Sequence, residues 1–192
     1  MRLAAAVFLV ALVGVAIHAT LNSVHDGAEI DHATLISMVR THDTCCNEHA
    51  NPDTDANADV TLIGHVLGQR LQQHVFAPRL AEEGWRFHGA AICPVGERRS
   101  AHIVFARNEQ RLSVFSFVAR DYATAKVARC SKAVENHIIA GMVNSGEIHC
   151  MVGYCPNGGL QQREVNELFE RHRGEIVDAM LAAQPIPPIT QR

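Results

Sequence analysis

The sequence predicts an α+β fold: an antiparallel sheet of about five strands packed with helices, behind an N-terminal membrane helix or signal segment. Three observations predict it. The chain opens on an unbroken apolar run, its middle changes to short β-rich runs separated by turn-like residues, and the clearest helical stripe comes last. Of the 192 residues, 47% are hydrophobic and 19% charged, which suffices for one buried core and does not resemble disorder. The net charge of −3 gives no basic field to attract nucleic acid. Twelve histidines and six cysteines are the unusual counts, and location decides how they read.

The first element is residues 1–24. Met1 and Arg2 precede the apolar run Leu3 to Ile17, and weaker apolar character continues to Val24. This is either a cleaved signal or an uncleaved anchor, since a span takes roughly 17–25 apolar residues. Arg2 stays on the cytoplasmic side, so the rest of the chain is sent outward. The expected location is the inner membrane, single pass, with the C-terminal domain in the periplasm, or export if the segment is cut.

Residues 25–58 read as a polar His/Cys/Asp-rich linker, with one helix expected over Asp26 to Val39. The extracytoplasmic domain is expected over 59–183. Asp59 is a good N-cap, and Ile63, Leu67, Leu71 and His74 follow at helical spacing until Pro78. Trp85 to Cys93, Ala101 to Arg107 and Leu112 to Val118 read as three strands of a meander. Asp121 to Glu135 reads as a helix. His137 to Val143 and Ile148 to Tyr154 read as a further hairpin around Asn144 to Glu147. The last helix carries Val165, Leu168, Phe169, His172, Ile176, Val177 and Met180 on one stripe. A Pro-rich tail occupies 184–192.

The densest chemistry is His42-Asp43-Thr44-Cys45-Cys46-Asn47-Glu48-His49. On a helix, His42, Cys45, Cys46 and His49 share a face, and imidazole with thiolate suits Zn²⁺ or copper. The plainer reading is that Cys45 or Cys46 is half of a disulfide and the histidines are exposed. Cys93, Cys130, Cys150 and Cys155 are further disulfide candidates, whose connectivity the sequence does not choose. His88 and His102 lie on neighbouring strands, where a second ligand set with Cys93 competes with simple burial. His172 is expected in the core. No CxxC, CxxCH, GxSxG or paired-carboxylate motif specifies a reaction, so no catalytic residue is assigned.

Glu83 to Cys93, containing Gly84-Trp85 and Gly89-Ala90, is followed by Ser100 to Phe105 and by Arg111 to Phe115. This succession resembles the extracytoplasmic region of membrane-spanning anti-sigma factors. The resemblance covers about residues 60–118 and implies a sensory or regulatory role outside the membrane. Only Met1 and Arg2 precede the apolar run, so the cytoplasmic sigma-binding domain of those regulators has no counterpart here.

The sequence therefore favours a non-enzymatic, membrane-anchored sensory or binding domain, with a transition metal or redox state as its input. Its expected partners are the membrane, through residues 3–24, and a protein in the membrane or periplasm. The alternatives are a disulfide-stabilised interaction module and, last, a metal-dependent hydrolase.

Overall fold

The computed structural model describes residues 30–48, 58–118, 128–144, 147–154 and 162–182. Their elements run α1 (His32–Glu48), α2 (Val60–Leu71), β1 (Arg86–Val95), β2 (Arg98–Arg107), β3 (Gln110–Val118), β4 (Ala128–Val134), β5 (His137–Asn144), β6 (Glu147–Tyr154) and α3 (Gln162–Ala182). The α+β expectation is met. The six strands form one sheet in the order β1-β2-β3-β6-β5-β4, every neighbouring pair antiparallel. No helix among the described residues is long and apolar enough to cross a membrane, and the 1–24 segment lies outside them.

Both faces of the sheet are covered. α2 and α3 pack on one, where Leu67, Trp85, Ile103, Phe105, Leu112, Val114, Met142, Met151, Leu168 and Phe169 form a core. α1 packs on the other, placing Ile30, Leu35, Met38 and Val39 against Val95, Phe115, Phe117, Ile139, Val143, Ile148 and Val152. Leu112 to Phe117 are consequently buried without a break, although the strand is antiparallel. Residues 30–48 are thus part of the packed body, where the sequence suggested a linker. The expected helix Asp26 to Val39 is displaced to His32–Glu48, with Asp31 accepting from the Thr34 backbone N–H at its start.

The helix expected over Asp121 to Glu135 is corrected. Ala128–Val134 is a strand, paired with β5 over its whole length. Its Ala, Arg and Lys suit a helix in isolation, but strand pairing and burial of Val134 outweigh a propensity difference of tenths of a kcal/mol. Glu135 and Asn136 both have positive φ, as a two-residue hairpin turn requires. The start of α2 is as expected: the Asp59 carboxylate accepts from the N–H groups of Thr61 and Leu62. Val165, Leu168, Phe169 and His172 of α3 face inward, while the side chains of Ile176, Val177 and Met180 lie outside the described set.

Candidate functional site

The inner face of α1 begins apolar and turns polar in its C-terminal half, and the sheet beneath it matches. Strand alternation sends Cys93 of β1, His102 of β2, Ser113 of β3 and His137 of β5 to this side. The Thr41 hydroxyl donates to the Pro94 carbonyl at 2.7 Å, fixing the helix over β1. One turn on, Cys45 Sγ lies 3.1 Å from Cys93 Sγ, with both residues buried.

Ser113 sits at the centre. Its hydroxyl oxygen is 2.7 Å from His42 Nδ1 and 2.7 Å from His102 Nε2. Cys46 Sγ approaches the same pair, 3.6 Å from His42 Nδ1 and 3.7 Å from Ser113 Oγ. The His102 ring stacks on Phe115 at 4.3 Å, which fixes its plane. Towards the surface, His42 and His137 meet edge to face at 5.2 Å. His137 Nδ1 donates to the Glu135 carbonyl at 2.9 Å, and its Nε2 lies 3.0 Å from Asp43 Oδ1. Asp43 is itself 55% exposed and opens the group to solvent.

Burial controls the ionisation here. Desolvation, reinforced by the neighbouring His137 and His102, pushes the His42 pKa down to about 3, so its ring is neutral at ordinary pH. Burial raises Cys46 to about 11. Burial, with the hydrogen bond and charge of Cys45, raises Cys93 to about 12. These thiols are protonated at neutral pH and are not activated nucleophiles. A metal ion or an oxidant would have to displace their protons.

Two sets of donors converge. Cys45, Cys93 and His102 bring one ligand atom each to within 4.8 Å of one another, and so do His42, Asp43 and His137. The ligand face drawn from the sequence, His42-Cys45-Cys46-His49, is divided between them: Cys45 goes to the first set and His42 to the second. Cys46 lies beside His42 and Ser113, and His49 lies outside the described residues. Cys93, a disulfide candidate, faces Cys45. Cys130 and Cys150 stand on the strands flanking β5, both in register with Gly141. Cys155 lies outside the described residues. His88 occupies a bulge in β1, while His102 is registered with Ala91, so the two histidines are not cross-strand partners.

Ser113, His137 and Asp43 were missed from the sequence. The available signal was Ser113 between Leu112 and Val114, a polar residue in a strand otherwise reading as core. A second polar pair lies on the opposite face: Ser116 Oγ accepts from the Phe76 N–H at 2.9 Å and is 2.9 Å from His149 Nδ1. Both side chains are sealed in, so this pair ties the 73–76 segment to the sheet. Also on that side, a cleft of about 830 Å³ opens between Asp59, Arg79, Trp85 and Phe87, away from the thiols.

No family model and no curated protein matches the sequence. Among solved structures, MucB in complex with MucA(peri) is similar at 17% identity and a TM-score of 0.30, over 43% of this chain. The match spans about a third of that chain's length, 31%, and a shared fold is not implied by overlap at this level.

Proposed function

We propose that the chain is an extracytoplasmic sensory or binding domain, anchored by residues 3–24, that reads redox state through Cys45 and Cys93. The observation that carries this reading is the 3.1 Å separation of two buried sulfurs on different elements, 48 residues apart. Oxidation joins the two thiols in one S–S bond and releases two protons and two electrons, the electrons passing to the disulfide of an exported thiol oxidant. The bond fastens α1 to the sheet edge. In the reduced state α1 is held by its apolar side and by bonds such as Thr41 to Pro94. A protein partner that recognises α1 would feel the difference. The raised pKa of the Cys93 thiol slows chance oxidation, so the pair answers a dedicated oxidant.

A second reading has its own support. Cys45, Cys93 and His102 are thiophilic donors within 4.8 Å, and Zn²⁺ or Cu(I) bound there would fasten α1 in the same way.

Thiol mapping of the natively exported chain by mass spectrometry, with and without reductant, tests the proposal. A Cys45–Cys93 linkage is expected, with a stability gain of about 2–4 kcal/mol that Cys93→Ser abolishes. A midpoint potential above about −300 mV marks a switch, whereas a lower one marks a permanent structural bridge. If both thiols remain alkylatable in the exported protein and bound metal is found, the second reading replaces the first.

A further inference from the structure

We infer that His42, Asp43 and His137 form a separate binding site for a divalent transition-metal cation of the Zn²⁺ or Cu²⁺ class. The chemistry of the ring nitrogens leads there. The Glu135 carbonyl can only accept, so His137 Nδ1 carries its hydrogen and a neutral ring presents a lone pair at Nε2. That lone pair lies 3.0 Å from the Asp43 carboxylate oxygen. Two acceptor atoms at this distance need a hydrogen or a metal ion between them.

His42 supplies the next ligand. Ser113 engages its Nδ1 and leaves Nε2 as the nitrogen available to a metal. Each imidazole thus has its second nitrogen held by an oxygen, the support that orients histidine ligands in metal sites. One ligand atom from each of the three residues lies within 4.8 Å of the others, and side-chain rotation can close the set on an ion. Two imidazoles and a carboxylate make a borderline donor set, and the exposure of Asp43 leaves a fourth position for water. None of the three ligands is a thiol, so this site works whether or not Cys45 and Cys93 are joined.

Titration of the full-length reduced protein with Co²⁺ alone tests the inference. The expected spectrum has visible ligand-field bands that persist, without a sulfur-to-cobalt charge-transfer band, when Cys45 and Cys93 are serine, and Zn²⁺ removes them by competition. Asp43→Asn, at an exposed position that leaves the packing intact, should weaken binding at least about tenfold. His137→Gln should do the same, and a Cys45→Ser, Cys93→Ser variant should bind as the parent does. No binding, a sulfur charge-transfer band that persists in the cysteine variant, indifference to Asp43→Asn or loss of the bands in the cysteine variant would each overturn the site. None of these outcomes bears on the Cys45–Cys93 linkage, which is read by thiol mapping.

Discussion

Beneath α2 and α3 the sheet presents Ile103, Phe105, Leu112, Val114, Met142 and Met151, whereas beneath α1 the same strands present His102, Ser113, Phe115, His137 and Cys150. The first face is mainly aliphatic and aromatic, with Ser116 and His149 as its buried polar pair. The second sets hydroxyl, imidazole and thiol groups that hydrogen-bond one another beside an apolar cluster that includes Val95, Phe115, Phe117, Ile139, Val143, Ile148 and Val152. One sheet can thus keep its adhesive layer apart from its chemical layer, because successive side chains point to opposite sides. The difference assigns stability mainly to one face and reactivity to the other.

The largest expected effect breaks the first face alone. Phe105→Ala removes a buried ring packed against Phe87 and should cost about 3–5 kcal/mol in urea denaturation. The rate of Cys45 and Cys93 alkylation under native conditions should change only through global unfolding. Faster labelling without unfolding would show that the faces are coupled.

Gly141 sharpens the comparison from the other side. A β-carbon there would overlap Cys150 Sγ and press on the His149 carbonyl at 3.0 Å. Gly141→Ala should therefore destabilise by about 1–3 kcal/mol, and Cys150→Ala in the same chain should recover part of it. Equal losses in the single and double variants would place the strain in the backbone.

The third effect is graded with pH. His42 is held near 3 in the folded protein, against about 6.5 for a free histidine, so over that interval the unfolded chain binds more protons. Stability should fall as pH drops from about 6.5 towards 3, by up to about 1.4 kcal/mol per unit from this group. His149, whose pKa burial also lowers, adds a loss of the same sign from the opposite face. His42→Gln should flatten the profile measured by denaturation at several pH values. An unchanged slope would transfer the effect to His149.

Much of the sheet was legible because its turns and β-rich runs are local signals. The Asp59 cap and the start of the α3 stripe were equally plain, since each depends on neighbours in sequence. α1 was harder. Its inward positions include Thr34, Thr41, His42 and Cys45, so no clean apolar stripe appears, and these residues become core only because the sheet face opposite is polar too. β4 was misread for a related reason: an edge strand with exposed Ser131, Lys132 and Ala133 has no alternation to announce it. The cluster at positions 42–46 was visible as unusual chemistry. Its partners Cys93, His102, Ser113 and His137 are brought to it by strand register, which spacing along the chain does not encode.

The unlike chemistry of the two sides also guards the assembly of the molecule. Sliding β3 by one residue against β2 would drive the Ser113 hydroxyl in among the oils and turn Leu112 and Val114 towards thiols and imidazoles. Such a mistake would strand several hydrogen-bonding atoms without partners at once, each at a cost of about 1–3 kcal/mol. The polar layer therefore behaves as a key cut to a single lock position, and a chain still searching for its pairing should reject neighbouring alignments that a uniformly greasy sheet would tolerate.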